Sequence, residues 1–284
     1  MKILAIGDFD GRFPKKYLDI IKKEKIDLVV SDGDYPPFSI KKLFFKHVYG
    51  KEDVKLWEII GKKKYQSMIT TDLRKGEEVF KKLNKLKVPV FTVLGNHDYW
   101  VHDDVSDYKS SKGEWNFEKD RHFFLVKKLK KYGNIKRFDY SYLKFGDYVF
   151  IGARGGSFPG HVKSKGYKKH RKILERLFKG FRKENKERKV IFVSHNVPYN
   201  TKLDKITAKD AHKKAKGKHY GSKLVRRIID KYHPVLHLAG HIDEGRGMQK
   251  IGRTLAVNSG PVHSGKGSII NINNKGKISV KFIK

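Results

Sequence analysis

The stretch VPVFTVLGNHD, residues 88–98, is an uncharged apolar run that stops at a glycine and then sets Asn96, His97 and Asp98 side by side. A run rich in β-branched and aromatic residues reads as a buried strand. The polar trio at its end is then either a turn or a set of groups held rigidly for chemistry. Working outward, KILAIGD (2–8), DLVVSDGD (27–34), VIFVSHN (190–196) and VLHLAGH (235–241) repeat the pattern of an apolar run followed by Asp, Asn or His, and YVFIGARG (148–155) is a further apolar run. Between them KKYLDIIKKEK (15–25), TTDLRKGEEVFKKLNKL (70–86), HRKILERLFKGFRKEN (170–185) and SKLVRRIIDKYH (222–233) carry helical periodicity. This alternation predicts a layered α/β protein. Towards the C-terminus GMQKIGR, TLAVNSG, GSIINI and KISVKFIK read as short strands joined by Gly, Asn and Lys turns, which predicts a meander or a second sheet.

Composition limits what the polar strand ends can be. No repeat or linker divides the 284 residues, so one domain spanning 1–284 is expected, with the irregular stretches 36–70 and 101–122 as insertions covering a cleft. There are no cysteines, which excludes disulfides and thiolate zinc sites and leaves His, Asp, Glu and Asn as metal ligands. No window approaches the roughly 18 uncharged apolar residues of a membrane span. MKILAIGDFD reaches two aspartates too early for a signal peptide, so a cytoplasmic protein is expected. Lys plus Arg number 65 against 30 acidic residues, a formal charge of +35. The lysine runs are scattered along the chain. They fit either a lysine-rich, thermophile-like composition or attraction to phosphates and nucleic acid. The chain has no GxGxxG, P-loop, GxSxG or cysteine nucleophile.

Ligands of α/β sheets bind at the carboxyl ends of strands, which is where the polar residues fall. Asp8 and Asp10 leave the first strand, Asp34 the second, Asn96 and His97 the third, His195 another, and His241 with Asp243 the last. Residues at i and i+2 of an extended segment face the same way, so Asp8 with Asp10, and His241 with Asp243, could each chelate as a pair. Taken singly, D-x-D is more often a turn or cap, and His195 reads equally as a hydrogen-bonded core histidine. The ordered set at strand ends is the specific signal.

In that order GDFD (7–10), SDGD (31–34), GNHD (95–98), SHNVP (194–198) and GHID (240–243) resemble the calcineurin-like metallophosphoesterases, whose pattern runs D-x-H, GD, GNHD or GNHE, H, then GH-x-H. The tail GRGMQKIGRTLAVNSGP is similar to the family's closing strands. The resemblance implies a four-layer αββα sandwich of the metallo-dependent phosphatase type around two divalent ions. One ion would take Asp8, Asp10, Asp34 and Asp243; the other would take bridging Asp34, Asn96, His195 and His241. It also implies hydrolysis of phosphomonoesters or phosphodiesters by a bridging hydroxide, with His97 stabilising or protonating the leaving group and Asp98 orienting His97. Arg12 and Arg154 could reach the substrate phosphate, although a solvated or structural arginine is the commoner reading of each, and His161 and His263 could line the cleft. This chain departs from the pattern at Asp10 and Asp243, where the family has histidine. Both changes fall on the same ion and leave it carboxylates alone, which favours Mn²⁺, Mg²⁺ or iron over Zn²⁺, or else weakens that ion. Two further readings stay open: a nuclease of the same chemistry gripping DNA or RNA through its charge, and a nucleic-acid-binding protein without catalysis.

Overall fold

Apolar residues on alternate sides of the strands bury both faces, and among the described residues twelve strands gather into two six-stranded mixed sheets. In the computed structural model, residues 1–49, 51, 54–99, 115–157, 159–209 and 211–284 are described. The first half of the chain builds β1 (Lys2–Ile6), α1 (Lys16–Lys23), β2 (Leu28–Ser31), α2 (Lys41–His47), α3 (Leu56–Ile60), α4 (Lys62–Asn84), β3 (Val90–Thr92), α5 (Asn96–Tyr99), α6 (Asn116–Leu129) and β4 (Ile135–Arg137). The second half builds β5 (Tyr142–Phe145), β6 (Tyr148–Ala153), α7 (Lys165–Gly180), α8 (Arg182–Lys186), β7 (Val190–Asn196), α9 (Lys223–Tyr232), β8 (Leu236–Gly240), β9 (Gly247–Ile251), β10 (Thr254–Asn258), β11 (Gly267–Ile272) and β12 (Ile278–Ile283).

The first sheet runs β12-β11-β1-β2-β3-β4, with β1 to β4 parallel; the second runs β5-β6-β7-β8-β10-β9, with β6, β7, β8 and β10 parallel. Three apolar layers follow from strand alternation. Ile3, Ala5, Leu28, Val30 and Val93 of the first sheet meet Phe150, Ile191, Val193, Leu238 and Val257 of the second. Their neighbours Leu4, Ile6, Val29 and Val90 turn outward onto Tyr17, Val79, Phe80, Leu83 and Leu125 of the helices. On the far side Val149, Ile151, Val190 and Phe192 pack on Leu174, Phe178, Val225, Ile228 and Ile229. The result is a four-layer αββα sandwich. Each fully buried aliphatic side chain contributes about 1.5–3 kcal/mol.

Helix boundaries follow local signals. Ser164 and Ser222 cap α7 and α9 by accepting from Tyr167 N at 3.0 Å and Val225 N at 3.3 Å. The terminal strands form neither a separate meander nor a sheet of their own. β9 and β10 extend the second sheet, whereas β11 returns to lie antiparallel to β1 and β12 follows it. Of the two irregular stretches, 36–70 contains α2, α3 and the first residues of α4; 101–114 lies outside the described residues, and 115–122 enters α6. Among the described residues no helix is long and apolar enough to cross a membrane.

Candidate metal centre

β1, β2, β3, β7 and β8 all end on one edge, so the polar residues that follow them meet there. Four of those residues, Asp8, Asp10, Asp34 and His241, adopt left-handed backbone at φ 51°, 49°, 56° and 74°. That conformation is costly for residues with a Cβ, and it persists where the surroundings impose it, as they do at functional sites.

His195, fully buried at the end of β7, anchors the centre. Its Nδ1 lies 2.9 Å from the carbonyl of Asp32. A carbonyl only accepts, so Nδ1 carries the proton. Burial holds the His195 pKa well below its ordinary value, with His241 adding to the effect, so the ring is neutral and Nε2 presents a lone pair. Facing that lone pair are Asn96 Oδ1 at 2.8 Å, His241 Nδ1 at 3.0 Å and Asp34 Oδ2 at 3.4 Å. The Asn96 amide nitrogen turns away towards Ser157 Oγ at 3.3 Å, which aims its oxygen inward. Burial also pushes His241 down to about 3. Ligand atoms of Asp34, His195 and His241 lie within 4.8 Å of one another. Oxygens of Asn96 and Asp34 and a ring nitrogen of His241 converging on one imidazole lone pair suit a cation, so these residues fit a divalent ion.

Beside this cluster is a more acidic one. Asp8, 8% exposed, accepts the His241 backbone N–H at 3.0 Å. Burial raises its pKa well above the ordinary value, and Asp243 and Asp34 raise it further. Asp10 stands close enough to raise the pKa of both Asp34 and His97, although burial is the largest influence on each. Asp243 keeps access to solvent at the rim and opens a short 3₁₀ turn after β8. Asp32, which sequence reasoning passed over in favour of Asp34, is 2% exposed, and among the described residues its Oδ1 has no hydrogen-bond partner. A second aspartate in SDGD, two residues before Asp34, was the available signal. An orphaned carboxylate oxygen next to Asp8 is a further reason to place a cation here.

His97 follows Asn96 on α5 with 29% of its side chain exposed. Its backbone N–H donates to Asp34 Oδ1 at 2.8 Å, and its Nδ1 lies 3.3 Å from Asp34 Oδ2. Desolvation pushes its pKa down to about 4. Phe38, from the irregular stretch after β2, covers one side with ring centroids 4.8 Å apart. Lys41, on α2, acts on both His97 and Asp243 electrostatically. Neither Phe38 nor Lys41 carried a motif that sequence reading could use.

Two expectations are corrected. Asp98 does not orient His97: its carboxylate accepts the backbone N–H groups of Asp34, Tyr35 and Gly95, each at 2.8 Å. The group facing His97 Nδ1 is Asp34. Arg154 is 7% exposed, with its guanidinium 4.6 Å from the Tyr99 ring and 5.8 Å from that of Tyr140, so it packs between aromatic faces. Arg12 and His161 are exposed. His263, in contrast, lies against Asp8, with Nδ1 3.0 Å from the Asp8 carbonyl.

The profile of the calcineurin-like phosphoesterase family matches residues 1–244. Over 267 residues the chain is 29% identical to the uncharacterized protein MJ1162 of Methanocaldococcus jannaschii, a match covering 92% of this chain and 88% of that protein. One crystal structure is similar at TM-score 0.65 and 21% identity, covering 100% of this chain and 99% of the other. The crystal structure of TT1561 of Thermus thermophilus is similar at TM-score 0.52 and 13% identity, with the same coverage. At these identities the structural likeness concerns the fold.

Proposed function

The chain belongs to the calcineurin-like phosphoesterases, hydrolases of phosphate esters, and from that premise we propose that it cleaves phosphomonoester or phosphodiester bonds with two divalent ions bound. Asp34, Asn96, His195 and His241 would hold one ion. Asp8, Asp10, Asp34 and Asp243 would hold the other, with Asp34 shared. Bound there, the ions supply a water of lowered pKa and neutralise charge on the phosphoryl oxygens.

The rest falls to the side chains. His195 is locked by the Asp32 carbonyl and keeps Nε2 aimed inward. Asp34 fixes His97 through both backbone and ring, leaving the other ring nitrogen for the substrate. An imidazole held at low pKa is neutral near pH 7. The negative charge of an arriving phosphate raises its proton affinity, so that nitrogen takes up a proton from solvent water and passes it to the leaving oxygen. Lys41 stands at the same opening and suits a phosphoryl oxygen. The acidic set at the first position favours Mn²⁺, Mg²⁺ or iron, since carboxylate oxygen suits hard ions.

The observation that carries this reading is the meeting of Asn96 Oδ1, Asp34 Oδ2 and His241 Nδ1 around the proton-free Nε2 of His195. The test is elemental analysis of the purified protein together with turnover of an aryl phosphate and a diaryl phosphate after chelation and reloading with Mn²⁺, Mg²⁺, Fe²⁺ or Zn²⁺. Two ions per chain with Mn²⁺-dependent turnover is expected. Asn96→Ala should lose metal, while His97→Ala should keep it and lose turnover. No turnover with any of the four ions would overturn the assignment.

A further inference from the structure

We propose that His263 is a ligand of the first ion position, its Nε2 joining Asp8, Asp10, Asp34 and Asp243. This rests on the two-ion reading above and adds a nitrogen donor to a set that is otherwise carboxylate only.

The turn that carries His263 is fastened to both loops that supply the position. Val262 N donates to the Gly7 carbonyl at 2.9 Å, and Gly7 pairs with Pro261 in a parallel bridge. His263 N donates to the Asp8 carbonyl at 3.3 Å. At the start of the same turn, Asn258 donates from Nδ2 to the Ile242 carbonyl at 2.8 Å and accepts from Gly260 N at 3.0 Å. The turn is therefore tied to the backbone of the Asp8 loop and, through Ile242, to that of the Asp243 loop.

The ring is set as His195 is set. Its Nδ1 lies 3.0 Å from the Asp8 carbonyl, which only accepts, so Nδ1 carries a proton and the neutral ring has its lone pair on Nε2. Among the described residues that Nε2 has no hydrogen-bond partner. Metal-binding histidines commonly donate their other N–H to a backbone carbonyl, which fixes tautomer and ring orientation. His195 does this on Asp32, two residues before Asp34; His263 does it on Asp8 itself. The ring lies near enough to Asp243 to act on its carboxyl, although desolvation is the larger influence there. One imidazole among carboxylates shifts the preference towards Mn²⁺ and Fe²⁺ and away from Mg²⁺, which favours an all-oxygen shell.

Two variants separate ligation from a packing role. His263→Asn keeps an amide donor near the Nδ1 position and removes the distal nitrogen; His263→Gln places an oxygen near the distal position and removes the tether. Isothermal titration with Mn²⁺ should give two sites in the native protein. In His263→Asn one site should weaken by at least about tenfold while the other is retained. Pulsed EPR of the Mn²⁺-loaded native protein carrying ¹⁵N-histidine should show nitrogen coupling at both ions, a reading that holds even if a variant fails to fold. Two native-like sites in His263→Asn, or nitrogen coupling at only one of two bound ions, would overturn the inference while leaving the two-ion reading intact. A single Mn²⁺ per native chain would instead overturn the two-ion reading and this inference with it.

Discussion

Asp98 sits in the middle of the most informative motif of the chain, yet its contacts are structural. Consecutive helical residues point about 100° apart, so once α5 begins, His97 and Asp98 cannot face each other. Adjacency in GNHD concealed this. The carboxylate instead ties the end of β3 to the loop after β2 through three buried N–H groups. Asp98→Ala leaves all three unpaired at about 1–3 kcal/mol each, so a loss of roughly 3 kcal/mol or more is expected in urea unfolding. A loss below about 1 kcal/mol would show that other groups take over those donors.

At the scale of elements, strands stop at glycine because the next strand's carboxylate occupies the space a side chain would fill. A Cβ on Gly95 would lie 2.1 Å from Asp34 Oδ1, and one on Gly7 would lie 1.5 Å from Asp32 Oδ1. Neither glycine has positive φ, so close approach is the reason for both. Gly95→Ala should displace Asp34 and weaken metal binding by about tenfold or more, with far-ultraviolet circular dichroism unchanged. Unaltered Mn²⁺ affinity in a folded Gly95→Ala protein would mean that Asp34 does not hold the ion from this position. Strand existence was legible for the long apolar runs but not for β4 and β5. These have three and four residues, include lysine and lie at sheet edges, where periodicity has too few positions to register. α6 was hidden for a related reason: its apolar residues are spread around the helix instead of forming one stripe.

For the whole molecule, the buried acids and histidines set opposite trends with pH. Burial raises Asp8 and Asp32, and pushes Asp34 and Asp98 up to about 7. Above the ordinary carboxylate value of about 4 the native ion-free protein therefore holds protons that the unfolded chain has released, and stability falls as pH rises through the raised values. Burial lowers His195, His237 and His241, so below about pH 6.5 the unfolded chain takes up protons that the native protein refuses, and stability falls as pH drops. Chelated protein should thus melt at a lower temperature at pH 8.5 than at pH 6.5. Saturating Mn²⁺ should remove that difference, because binding to the native state adds stability and strengthens as the ligands deprotonate. A melting temperature that rises over this interval without metal would contradict the electrostatics of the centre. The formal charge of +35 belongs to this scale too. It predicts binding of a single-stranded oligonucleotide that weakens steeply between about 50 and 200 mM salt in fluorescence anisotropy, with a slope of roughly 0.7 per phosphate contacted. Binding insensitive to salt, or none at 50 mM, would assign the lysines to composition alone.

By itself the chain's order of apolar runs and polar strand ends determined the layered fold, the edge on which the polar residues gather, and the candidate group of Asp34, Asn96, His195 and His241. Hydrophobic periodicity and motif spacing are local properties, and a local pattern is what a sequence displays. Only the tertiary structure decided that the closing strands divide between both sheets, that Asp34 and not Asp98 meets His97, and that Asp32 and His263 stand beside Asp8. Those outcomes depend on side-chain direction and on contacts between residues as much as 255 positions apart. Such contacts arise when sheets close against each other, and no spacing along the chain encodes them.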